Sequence, residues 1–200
     1  EFESLPHECV LAGDLLVDPG LGRQGPGENW VREGVIVETC HAGACSAPAG
    51  VPRVPLAGLL LAPGFVDVHV HFREPGQEYK EDIETGTKSA AAGGYTLVCC
   101  MANTDPVNDS PAVTEYIQRR ARESGNVRVR VIAAATQGLR GEIMSEMAGL
   151  AAAGAVAFSD DGAVIMDAAV MRRVLEYARG IGRPVIAHCE DLNLRGAGVV

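Results

Sequence analysis

The chain has 200 residues, 47% of them apolar and only 4% aromatic, with 17 Lys and Arg against 26 Asp and Glu for a formal net charge of −9. The apolar share supports a large core and argues against disorder; the acidic balance argues against a nucleic-acid or anionic-membrane surface. No apolar run approaches the roughly 20 residues that cross a bilayer, and the opening EFESLPHECV has no basic stretch followed by an apolar one, so neither a membrane span nor a signal peptide is expected.

Residues 1–62 read as a small N-terminal β domain. Short apolar runs (CVLAG, LLVD, GVIVE, GLLLAP) alternate with Gly/Pro-rich turns such as DPGLGRQGPGE and GACSAPAGVP. Cys40, His41 and Cys45 fall in this part, but without a second paired motif they make a weak zinc signature. Cys99 and Cys100 are adjacent in a strand-like run, and Cys189 follows another. Such cysteines behave as small buried hydrophobes, which suits a reduced, cytoplasmic protein.

From residue 63 onward the rhythm changes. FVDVHVH reads as a strand, and YKEDIETGTKSAAAGG as a helix ended by Gly93 and Gly94. YTLVCCMA is a strand; SPAVTEYIQRRARESG is a helix with Ser110 as N-cap and Pro111 at the first helical position. VRVRVIAAA, GEIMSEMAGLAAAG, AVAFSD, MDAAVMRRVLEYARGIG and PVIAHCE continue the alternation of strand and helix. Strands alternating with helices predict a parallel sheet with crossover helices. An open doubly wound sheet and a closed barrel both satisfy that pattern. A doubly wound nucleotide-binding sheet would usually carry a Gly-rich loop after its first strand, where this chain has HFREPGQ.

Polar residues gather at the C-terminal end of every predicted strand: His69 and His71, then Asn103 and Thr104, Thr136 and Gln137, Ser159 to Asp161, and His188 with Glu190 and Asp191. In a (β/α)8 barrel those ends share one face, and that face carries the chemistry. Side chains two apart on a strand project to the same side, so His69 and His71 act as a pair. Two imidazoles near carboxylates and a further histidine make a nitrogen/oxygen site for zinc or a similar divalent ion. Such an ion lowers the pKa of bound water and polarises an amide carbonyl. An arginine two residues beyond the pair, Arg73, can fork onto a carboxylate. The combination suits opening or closing a cyclic amide that bears a carboxylate.

PGFVDVHVHFREPGQEYKEDIETGTKSAAAGGYT, with CMANTDPVND, GAVAFSDDG and VIAHCEDLNL further on, resembles the cyclic amidohydrolases, and among them the bacterial dihydroorotases of the longer type. The resemblance covers about residues 60–195. It implies a TIM-type (β/α)8 barrel from residue 63 to 200, truncated after about its fifth strand, behind the β domain of 1–62. It further implies two Zn2+ ions, with His69 and His71 as ligands of the first, Asp161 bridging both and His188 as ligand of the second. Arg73 and Asn103 would hold the substrate carboxylate. Hydantoinases and allantoinases place a carboxylated lysine on the fourth strand; this sequence has none there, which makes them the weaker alternatives.

The implied reaction is reversible hydrolysis of dihydroorotate to N-carbamoyl-aspartate. The implied partners beyond the substrate are a second copy or aspartate transcarbamoylase, which non-catalytic members of the family brace. The resemblance also implies a further histidine on the sixth strand and a proton-shuttling aspartate on the eighth, beyond Val200. On that reading the chain is an N-terminal fragment, inactive alone.

Overall fold

ECVLAGDLLVD, which suggests two short strands, forms a single one in the computed structural model, which describes residues 5–41 and 43–195. This strand, β1 (Glu8–Asp18), lies between β2 (Arg23–Arg32), antiparallel to it, and β4 (Arg53–Leu61), parallel to it; β3 (Val35–His41) pairs outside β2. A bulge makes the long strand possible. Gly13 faces Gly27 and Leu16 faces Gly25, so Pro26 falls where the ladder is broken and no N–H is needed from it. The turn-like Gly-Pro-Gly is therefore strand. Among the described residues of this unit, which ends at Pro63, the buried apolar ones are Cys9, Val10, Leu16, Cys45 and Leu56.

The thiols of Cys40 and Cys45 lie 2.6 Å apart, with a Glu38 carboxylate oxygen nearby. Two thiolates on one tetrahedral zinc, each about 2.3 Å from the metal, would sit roughly 3.8 Å apart. Burial, the Cys45 thiol and Glu38 push the Cys40 thiol up to about 12. His41 turns instead toward Asp18. This cluster is poorly made for zinc.

The second unit, from Gly64, is a parallel sheet whose spatial order, β5-β6-β7-β8, is its sequence order. Its strands are β5 (Phe65–Val70), β6 (Tyr95–Cys100), β7 (Arg128–Ala133) and β8 (Ala155–Phe158). The helices α1 (Ile83–Ala92), α2 (Pro111–Ser124) and α3 (Met147–Ala152) connect them; α4 (Ala168–Gly180) and the short α5 (Leu192–Arg195) follow. Each crossover steps to the next neighbour without reversal. That is the winding of a barrel, whereas a doubly wound sheet changes direction midway.

Core residues alternate by face. Cys100, Val98 and Val131 pack with Phe72, Ile83 and Ile117 on the α1–α2 side, while Cys99, Met101, Ile132 and Ala157 cluster together on the other. The adjacent cysteines are thus buried on opposite faces, as small apolar side chains. Phe158, Leu150, Met147 and Val174 fill the layer under α3 and α4.

Two predicted elements differ. GEIMSEMAGLAAAG is helical only over α3, because Ser145 is tied to the end of β7: its N–H donates to Ala135 O (3.0 Å) and its hydroxyl to Ala134 O (2.6 Å). PVIAHCE pairs only as a bridge between Val185 and Phe158. β8 is four residues long, and Pro184 can accept from Phe158 N–H but has none of its own to give.

Helix α1 starts at Ile83 because Asp82 caps it, accepting from Thr85 N–H at 2.7 Å in a reciprocal capping box. That bond holds the Asp82 carboxyl below its ordinary 3.8. Asp82→Ala should cost about 1 kcal/mol in urea unfolding. A depressed carboxyl stabilises the fold above its unfolded pKa and stops doing so as pH falls through its folded pKa. The gap between wild type and variant should be full at pH 6 and close below pH 3.8. A gap that persists at low pH would show that the carboxylate charge is irrelevant to the cap. Ser110 occupies the cap position of α2, but its hydroxyl makes no capping bond.

Candidate metal centre

His69 is the fifth residue of β5, and His71 follows the strand's end. Asp161 lies just past β8. β5 and β8 are the outer strands of the sheet, three intervals apart. In a flat sheet that is about 14 Å. Yet Asp161 Oδ2 is 3.1 Å from His69 Nε2 and 3.4 Å from His71 Nε2. The sheet must therefore curl toward a barrel, and the curl closes the site.

The donor atoms of His69, His71 and Asp161 all lie within 4.8 Å of one another, and the two Nε2 atoms are 3.2 Å apart. The other oxygen of Asp161, Oδ1, is 3.3 Å from His188 Nδ1. One carboxylate thus faces two histidines with one oxygen and a third with the other, and its side chain is only 12% exposed. His188 Nε2 in turn faces Glu190 at 3.5 Å.

Asn103 supports the His71 ring from its outer side. The ring's Nδ1 is 2.9 Å from Asn103 Oδ1, an acceptor, and the tautomer that satisfies this contact donates from Nδ1 and leaves Nε2 able to take a metal. A hydrogen bond of this type is the usual outer support of a metal-bound imidazole. Asp67 adds a second support by accepting the backbone N–H of His69 at 3.0 Å. Convergent imidazole nitrogens around a carboxylate fit a zinc-like ion; calcium and magnesium prefer oxygen alone. The residues present therefore fit the implied metal.

Arg73, Gln77, Asn103, Leu139, Asp161 and Gly162 line an open cavity of about 390 Å³ beside this cluster. Arg73 Nη1 donates to Asn103 O at 3.3 Å. A larger groove, about 590 Å³, opens at the opposite strand ends beside Tyr95, Asn126 and Arg128; Arg128 is the only charged residue there, so no metal or acid–base chemistry gathers.

Asp160 does not join Asp161. It is buried and accepts from Ala135 N–H and Thr136 N–H, both at 2.9 Å, and from the Thr136 hydroxyl. Burial raises its pKa, against these three donors, which favour the charged form. It is the tie that holds the loop after β8 to the loop after β7.

Glu74 is the residue that sequence reasoning undervalues. Beside Arg73 it reads as a surface partner for that arginine. In the structure it is 4% exposed and pairs with Arg120, 46 positions away, with Nε to Oε1 at 2.7 Å. Nothing local in the sequence announces a contact across that separation.

The fold is that of the amidohydrolase barrels. L-hydantoinase (dihydropyrimidinase) from Arthrobacter aurescens superposes with a TM-score of 0.77 at 18% identity, over 93% of this chain and 41% of that one. Within that class the sequence is more specific. A family model described as dihydro-orotase-like matches residues 58–200. Curated dihydroorotases from Geotalea daltonii and Geobacter metallireducens are 54% and 47% identical over 190 and 191 residues. The chain belongs to the dihydroorotase-like family. It spans less than half the length of these relatives: the matches cover 95% and 96% of this chain and 44% and 45% of theirs. Among the described residues no helix is long and apolar enough to cross a membrane.

Proposed function

We propose that this chain is the metal-binding part of a dihydroorotase, which interconverts the cyclic amide dihydroorotate and N-carbamoyl-aspartate. The observation that carries the reading is Asp161, with one oxygen toward His69 and His71 and the other toward His188, at the wall of a cavity that also holds Arg73 and Asn103. His69, His71, Asp161 and His188 would hold two zinc ions, with Asp161 shared. When bound, the metal supplies a polarised carbonyl and an activated water at neutral pH.

The chain's own residues do the rest. Arg73 pairs its fork with the substrate carboxylate. Asn103 spends its Oδ1 on His71, which leaves its amide N–H groups to donate to the same carboxylate. No acid of this chain is assigned the proton transfer to the ring nitrogen; the resemblance puts that aspartate on the eighth strand. Six free cysteines accord with a cytoplasmic setting. All four ligand positions within the chain are filled, which weighs against a non-catalytic brace for aspartate transcarbamoylase. Mass in solution, alone and mixed with that enzyme, tests for either assembly.

In a chain of the relatives' full length, Arg73→Lys is expected to raise KM for dihydroorotate about tenfold while metal content is unchanged, because lysine keeps the charge and loses the fork. Ring opening followed in the ultraviolet gives KM, and elemental analysis gives the metal. Loss of metal with an unaltered KM would make Arg73 structural.

A further inference from the structure

The segment Phe72-Arg73-Glu74 alternates sharply. Phe72 is buried against Val98, Ile117 and Val131, Arg73 faces the cavity, and Glu74 is buried again. Arg73 achieves this with φ of +57°, a left-handed conformation that costs a side-chain-bearing residue about 1–2 kcal/mol. Something must hold it there.

Glu74 supplies the hold on one side. Its Oε2 accepts the N–H of Ile83, the first residue of α1, at 3.0 Å. Its Oε1 accepts from Arg120 Nε at 2.7 Å and from the Tyr116 hydroxyl at 3.4 Å, both on α2. One carboxylate therefore pins the segment to two helices. The pairing runs both ways, since Glu74 raises the pKa of Arg120. On the far side, Pro75 O accepts Asp105 N–H at 2.9 Å and Arg73 O accepts Gln77 N–H at 2.9 Å. Gly76 closes the turn at φ of +94°, where a Cβ would stand 1.8 Å from Asp105 O; no other residue fits. Arg73 is the one long side chain of residues 72–76 left facing the cavity.

We infer that Glu74, through Arg120, is a positioning residue for Arg73 and so sets selectivity for substrates that carry a carboxylate. This rests on the proposed function, because it assumes that Arg73 meets the substrate carboxylate. Glu74 itself, 4% exposed beneath the loop, touches no substrate. Its effect should appear only where Arg73 acts.

The test is a double-substitution cycle in a chain of the relatives' length, with two probes: dihydroorotate, and dihydrouracil, the same ring without the carboxylate. Glu74→Gln keeps the shape and removes the charge. It should raise KM for dihydroorotate about five- to tenfold, leave KM for dihydrouracil and the metal content unchanged, and add nothing further in the Arg73→Lys background. Arg120→Lys leaves Glu74 in place and should give the same selective loss, so the cycle remains readable if Glu74→Gln folds poorly. Two results overturn the inference while leaving the proposed function intact: equal losses on both substrates, or a Glu74→Gln effect that multiplies with that of Arg73→Lys. If Arg73→Lys alone leaves both KM values unchanged, the carboxylate role of Arg73 falls, and the inference falls with it.

Discussion

Replacing Asp161 by alanine is expected to empty the metal centre. The carboxylate is the one group that faces all three histidines, with His69 at 3.1 Å, His71 at 3.4 Å and His188 at 3.3 Å. Without it the ligands within residues 1–200 fall to two imidazoles at the first site and one at the second, with no carboxylate left to join the two sites. On the proposed two-ion arrangement, the metal content of a chain of the relatives' length should fall from two per chain to fewer than one. Turnover should fall by more than about 10²-fold, the upper end of what loss of an outer support alone costs. Asp161→Asn, which keeps the shape and one acceptor oxygen, should behave nearly as badly, because the shared negative charge is gone. A variant that retains two zinc ions would refute the shared-carboxylate arrangement.

Its neighbour should behave in the opposite way. Asp160→Ala is expected to destabilise the fold by about 3 kcal/mol or more. Three buried donors, the N–H groups of Ala135 and Thr136 and the Thr136 hydroxyl, lose their common acceptor, and an unsatisfied buried donor costs about 1–3 kcal/mol. The Thr136 hydroxyl also accepts from Gly141 N–H at 2.9 Å, so the disturbance reaches the next loop. Urea unfolding measures the loss. Molecules that stay folded should still bind metal, since no oxygen of Asp160 faces a histidine of the cluster. Stability equal to wild type would mean that water replaces the carboxylate without penalty.

These adjacent aspartates show how far the sequence could be read. Two-residue periodicity marks His69 and His71 as a pair, whereas Ser159 to Asp161 share one strand end and only the family resemblance picks Asp161 from among them. The alternation of strand and helix gives the parallel sheet, since both periods are local properties. What escapes local reading depends on partners far along the chain. The bulge that lets β1 run through Gly13–Leu16 is defined by what β2 and β4 place opposite it. Helix α3 is short because Ser145 prefers the carbonyls at the end of β7. Glu74 and Arg120 look like two ordinary surface charges until α2 packs above the loop. Asn103 is legible as a polar strand-end residue, but its grip on the His71 ring is visible only in three dimensions.

The contact between His69 and Asp161 joins residues 92 positions apart. During synthesis the histidine pair leaves the ribosome first, and at about 5–20 residues per second the aspartate follows roughly 5–18 s later. His188 comes 27 residues later still. Bringing ends so far apart together directly would cost roughly 4 kcal/mol in chain entropy. Pairing β5 to β6, β6 to β7 and β7 to β8 divides that closure into three shorter ones. If the sheet is laid down strand by strand, His69 and His71 meet Asp161 only after β8 has paired. The carboxylate that completes the first site arrives only when the fourth strand is in place.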